Sequence, residues 1–135
     1  MKFTLAPQNR EQTVGHTLRQ FHLQLKMAAR EDYFQVQLEP ENDGIIEGLN
    51  ATFNADRAWI IWNNAEGEWL YPVNSKHAKL ESDEEDCTLE NGQCDVYPIQ
   101  WSHSRDRAIK VLNHYFENGQ RAPWLEWTSE EYWMD

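Results

Sequence analysis

Residues Phe34 to Glu39 read Phe-Gln-Val-Gln-Leu-Glu. Alternation of apolar and polar side chains in an extended chain puts every apolar one on the same face. The stretch Asp32–Glu39 is therefore a half-buried strand, and the rest of the chain must cover its apolar side. Two segments have the period to do so. Between about Asn9 and Glu31, Val14, Leu18, Phe21, Leu25 and Ala28 or Ala29 recur at spacings of three and four, with Arg19, Gln20, Lys26 and Arg30 elsewhere. That is one stripe of an amphipathic helix, weakened near its start by Gly15. Ser104 is suited to cap a second helix, whose Ala108, Ile109, Leu112 and Tyr115 or Phe116 form the buried stripe. Gly119 supplies the left-handed residue that ends it.

More strands surround these elements. Residues 2–6 suit a short one, 41–48 read as a turn, and 49–64 resume extended character. The run Ala58–Val73 reads as a hairpin of two aromatic strands about a loop near Asn64–Gly67. Trp59, Trp69, Trp101 and Trp127, in apolar strands, are expected in the core. Cys94–Trp101 returns to strand, with Pro98 restricting it to an edge or a strand end. Ala122–Trp127 is expected as a final short strand, and Thr128 with Glu131 forms a capping box that suits one last helical turn. No repeat or linker interrupts the chain. The expectation is one α+β domain over residues 1–135, mainly antiparallel sheet packed against two principal helices.

At 135 residues, with 40% hydrophobic side chains and seven tryptophans, the chain has the material for a substantial core. The 23 acidic and 12 basic side chains leave a net charge of -11. That excludes ordinary nucleic-acid binding, which needs cations to displace phosphate counterions, and disfavours an anionic membrane surface. No apolar run is long enough to span a bilayer, and the first residues lack a secretory apolar region, so the cytoplasm is the expected location.

A search for catalytic chemistry finds little. There is no Gly-x-Ser-x-Gly, and Ser75, Ser102 and Ser104 read as turn and cap residues. The six scattered glycines make no phosphate-binding loop. His77, Cys87, Cys94 and His103 are the one set that invites a zinc reading, at looser spacing than structural zinc sites use. The acids around Cys87 lack the spacing of a calcium-binding EF-hand loop. His16, His22 and His114 read as surface or packing residues. Asn91-Gly92 predicts a two-residue hairpin with Leu89 opposite Cys94, which makes Cys87 only a diagonal neighbour of Cys94 and both thiols free. No cofactor is expected.

The charge is unevenly spread. Seven of the 23 acids (Glu81, Asp83, Glu84, Glu85, Asp86, Glu90 and Asp95) fall between residues 81 and 95, with no lysine or arginine among them. Such a run is either a solvated loop or an electrostatic lure for a basic protein, and clustered charge of this kind raises association rates by roughly 10–10³. Trp62, beside Glu66 and Glu68 across the hairpin loop, either caps the core or anchors a partner. The candidate partner-binding set is Trp62, Glu66, Glu68, Glu81, Asp83, Glu84, Glu85, Asp86 and Glu90.

The segment from Ser104, "SRDRAIKVLNHYFENGQRAPWLEW", resembles the C-terminal signature of a bacterial immunity-protein family, the deaminase-type group of polymorphic-toxin and contact-dependent inhibition systems. Phe116, Gly119, Arg121, Leu125 and Trp127 match that family's closing pattern. Pro123 stands one place later than the family's proline, with Ala122 in its position. The specific match covers roughly the last quarter of the chain, and a looser one reaches back to Tyr33. The resemblance implies a non-enzymatic protein that binds a cognate secreted toxin domain, and a closing motif that serves as scaffold. Such a toxin, if directed at nucleic acid, would present a basic groove to an acidic surface. The rival expectations are a small zinc-dependent enzyme or domain, and an acidic adaptor for a basic protein.

Overall fold

The computed structural model describes residues 1–8, 10–41, 47–64, 66–73, 84–88, 94–98 and 102–129. In chain order the elements are β1 (Lys2–Pro7), β2 (Thr13–Gly15), α1 (Leu18–Ala28), β3 (Tyr33–Glu39), β4 (Glu47–Asn54), β5 (Arg57–Asn64) and β6 (Trp69–Pro72). There follow β7 (Glu84–Thr88), β8 (Cys94–Pro98), β9 (His103–Ser104), α2 (Arg105–Asn118) and β10 (Trp127–Thr128). Eight strands form one sheet in the order β10-β6-β5-β4-β3-β1-β2, with β9 also on β5, and every pairing is antiparallel. β7 and β8 make a separate two-stranded sheet. The fold is thus α+β, with two helices among the described residues, as the patterns predict.

The register explains which side the helices take. Leu5 faces Val36, Val36 faces Ala51, and Ala51 faces Ile60, so each strand contributes its apolar residues to one face. Both helices lie on that face. Phe21 and Leu25 of α1 and Val111, Leu112 and Tyr115 of α2 share a single buried cluster with Phe3, Leu38, Leu49 and Phe53. Aromatic contacts tie the layers together. Phe21 stacks on Phe116 at 4.9 Å between centroids and sits 5.3 Å from Phe3. Phe34 stacks on Phe53 at 4.3 Å across two strands.

The first helix is shorter than its period suggested. Residues 13–15 form β2 against β1, and α1 begins only after Thr17, whose hydroxyl accepts from the Gln20 amide while Gln20 reaches back to the Thr17 N–H. Val14 is therefore exposed on an edge strand rather than buried in a helical stripe. Gly15 is the reason β2 fits. A Cβ there would lie 2.5 Å from the ring of Phe3, which is fully buried and cannot yield. Gly15→Ala is expected to cost about 1–3 kcal/mol, the range for overpacking, read as a lower urea midpoint at unchanged slope.

The second helix has the predicted ends. Ser104 Oγ accepts from the Arg107 amide at 3.2 Å. Gly119, at φ 67°, donates its N–H to Tyr115 O at 2.7 Å. The final strand is limited to Trp127–Thr128 on β6, because Pro123–Leu125 turn before it. Glu131, half of the expected last capping box, lies outside the described residues. In β7–β8 the register sets Thr88 opposite Cys94 and Cys87 opposite Asp95. That is one place out from a two-residue Asn91-Gly92 hairpin, so Cys94 faces Thr88 and not Leu89.

The tryptophans divide. Trp59 is buried, though on the sheet face away from the helices, and Trp127 is half-buried against the core. Trp69 departs from expectation, being 47% exposed: its register partner is Asn63, which turns it to the face without helices beside the hairpin loop. Trp101 lies outside the described residues. No helix among the described residues is long and apolar enough to cross a membrane.

Candidate functional site

The hairpin loop after β5 is held by one side chain. Asn64 Oδ1 accepts from the amides of Glu66 (3.0 Å) and Glu68 (3.2 Å), and Asn64 Nδ2 donates to Glu68 Oε1 at 3.0 Å. Gly67, at φ 82°, completes the turn. Glu66 and Glu68 are exposed there. Trp62 does not join them. Its register opposite Leu49 turns it to the helix-covered face, where it packs against the edge of the core.

What Trp62 meets instead is the closing segment of the chain. The Arg121 guanidinium lies over the Trp62 ring at 4.5 Å and over the Trp127 ring at 5.8 Å. These three residues, with Glu47, Pro123 and Leu125, line an open cleft of about 550 Å³. Gly119 starts the segment by ending α2, and the indole N–H of Trp127 donates to Ala122 O at 3.0 Å, which fixes the loop's closing turn. Gly119, Arg121, Leu125 and Trp127, four of the residues that carry the family resemblance, thus form much of one wall.

Behind the cleft, Tyr115 Oη donates to Glu47 Oε1 at 3.0 Å. Burial, followed by the hydrogen bond and charge of Glu47, holds the phenol well above its ordinary ionisation range, while Trp62 and Arg121 pull it the other way. A group whose folded pKa is raised favours the fold most below its unfolded pKa. For a tyrosine that is about pH 10, so stability is lost as pH climbs from there toward the folded value. Tyr115→Phe is expected to flatten the alkaline limb of a stability–pH profile above about pH 10, and to lower neutral stability by about 1 kcal/mol through the lost bond to Glu47.

Other concave regions offer less. A hollow of about 240 Å³ on the opposite sheet face is lined by uncharged groups such as Thr4, Gln35, Gln37, Asn50 and Thr52. Between the helices, His22 Nε2 donates to Asn113 Oδ1 at 3.0 Å beside a groove of about 270 Å³. His16 lies ahead of α1, bonded to Glu41, whose carboxyl it holds below the usual range.

For the acidic run, Glu84, Glu85 and Asp86 lie in β7, opposite Pro98, Tyr97 and Val96 of β8. Glu81, Asp83 and Glu90 are outside the described residues. Of the zinc set, His103 is buried and donates from Nε2 to Pro72 O at 3.1 Å. Cys87 and Cys94 lie on β7 and β8, and His77 is outside the described residues. Among the described residues no three His, Cys, Asp or Glu side chains gather as a metal would need.

The cleft is the feature that reading along the chain missed. Arg121 and Trp127 are visible in the closing motif, and Trp62 in the hairpin, but their meeting depends on the β4–β5 register and on β10 pairing with β6. No model of a known protein family matches the chain, and no curated protein does.

Proposed function

We propose that this chain is an immunity protein: it binds a cognate secreted bacterial toxin domain in the cytoplasm and neutralises it by covering the active site or substrate groove, catalysing no reaction. The observation that carries this reading is the uncompensated charge. Seven carboxylates without a single lysine or arginine in fifteen residues, in a chain of net charge -11, suit a basic partner and repel anions. The closing segment's resemblance supports it, as does an antiparallel sheet backed by two helices, a rigid frame from which loops can bind.

On this reading Glu81, Asp83, Glu84, Glu85, Asp86 and Glu90 steer the encounter, and Trp62, Glu66 and Glu68 belong to the docking surface. A nucleic-acid-directed toxin supplies the matching basic groove. An interface of standard size, about 1,600 Å² in total, fits one face of a domain this large. The test is co-expression with the C-terminal domain of whatever large secreted protein is encoded immediately upstream. Cells are expected to survive, and the two chains to purify together one to one. Death of cells carrying both, with no complex recovered, overturns the proposal.

A further inference from the structure

The cleft beneath the closing segment holds a cation with unusual surroundings for so acidic a chain. Arg121 lies over two indole rings, and no ion pair or hydrogen bond engages its guanidinium among the described residues. Aromatic contacts of this kind orient a guanidinium while leaving its N–H fork available, and that fork matches a carboxylate in two-point fashion. Two other arginines are committed elsewhere: Arg10 pairs with Glu31, and Arg105 donates to three backbone carbonyls. The walls are fixed, because Trp127 is bonded to Ala122 O and Tyr115 to Glu47. Arginine, tryptophan and tyrosine are also the residues that dominate binding energy at protein interfaces.

We propose that this cleft is a receptor for a carboxylate of the partner protein, an aspartate or glutamate side chain that enters between Trp62 and Trp127 and pairs with Arg121. Two features select this occupant. Glu47 lines the same cleft, so a monoanionic carboxylate meets less repulsion than a dianionic phosphate. The net charge of -11 repels free anions in general, so the ligand is best delivered on a protein already held by other contacts. Exposed Trp124, on the same closing segment and edge-on to His114 at 5.0 Å, supplies an apolar contact for such a protein. The identity of the partner rests on the immunity reading; the carboxylate site does not.

The test therefore has two arms. In the first, the isolated full chain is titrated at constant ionic strength with the N-acetyl α-methylamide of L-glutamate, whose side chain is its one carboxylate, with that of L-glutamine, which has none, or with inorganic phosphate, and the indole N–H resonances of Trp62 and Trp127 are followed. Glutamate is expected to shift both saturably in the millimolar range, which is appropriate to one small-ligand ion pair. Glutamine is expected to shift neither, Arg121→Gln to abolish the response, and Arg121→Lys, which keeps charge and ring contact, to weaken it. Equal responses to glutamate and glutamine, a response that survives Arg121→Gln, or tighter saturation by phosphate would overturn the assignment. In the second arm, Arg121→Gln and Arg121→Lys, with melting temperatures checked, are expected to bind the toxin domain at least about tenfold more weakly, mainly through faster dissociation. Wild-type binding with no loss in either folded variant overturns the carboxylate receptor and leaves the immunity reading standing. A saturable glutamate response with no toxin binding by wild type does the reverse.

Discussion

Arg105→Ala is expected to destabilise the fold by about 3 kcal/mol, the upper end for hydrogen bonds made by a charged group. Arg105 stands at the first position of α2, where a cation opposes the helix dipole. Its guanidinium instead reaches back to the end of α1, donating to Ala29 O (3.1 Å), Glu31 O (2.8 Å) and Asp32 O (2.7 Å). It also lies 5.4 Å from the Phe34 ring centroid and 5.9 Å from that of Phe53, the stacked pair beneath it. One side chain thus bonds three carbonyls of the turn that follows α1, of which Asp32 O also accepts from the Ala55 amide, and ties the start of α2 to that turn and to the sheet. Burial lowers the Arg105 pKa from its ordinary value, with Asp32 and Asp56 opposing that shift. Arg105→Lys is expected to recover less than half of the loss, because one ammonium does not span three carbonyls. Urea unfolding of the three proteins checks this; a change below about 1 kcal/mol for the alanine variant would show that water replaces the arginine at little cost.

The second large effect concerns association. Neutralising Asp83, Glu84, Glu85 and Asp86 together, as Asn and Gln, removes four of the 23 acidic charges. If the proposed immunity function holds, association with the toxin domain is expected to be slower by about 10–100-fold at low salt, with dissociation little altered. The wild-type rate should fall steeply between low and high ionic strength, and the variant's rate less steeply, because four of the charges that screening acts on are gone while Glu81 and Glu90 remain. Stopped-flow association at several salt concentrations separates the two. Equal rates and equal salt slopes would make the acidic run a solvated loop.

Local features of this fold are legible in the chain, and contacts across it are not. Alternation in Phe34–Glu39, the Ser104 cap and the Gly119 stop each reflect forces acting over a few residues, and each lies where the pattern indicates. Val14 misleads because its spacing to Leu18 and Phe21 suits a helix. A non-local fact decides the matter, since β1 offers Gly15 an edge on which only a residue without a side chain clears Phe3. Trp69 and Trp62 are both strand tryptophans near one loop, and only the registers opposite Asn63 and Leu49 determine which turns outward and which packs inward. Arg121 belongs to a segment that reads as scaffold. It also lines the cleft of about 550 Å³, because that segment closes on Trp62.

The central claim is that the chain acts by occupying a toxin and not by turning anything over. The most direct measurement is titration, with the purified protein, of the toxic activity of the purified C-terminal domain of whatever large secreted protein is encoded immediately upstream. The account predicts a linear fall to no activity at one equivalent, unchanged by longer incubation. Full activity at several equivalents would contradict it, and so would progressive loss of activity at a small fraction of an equivalent, the signature of a catalyst.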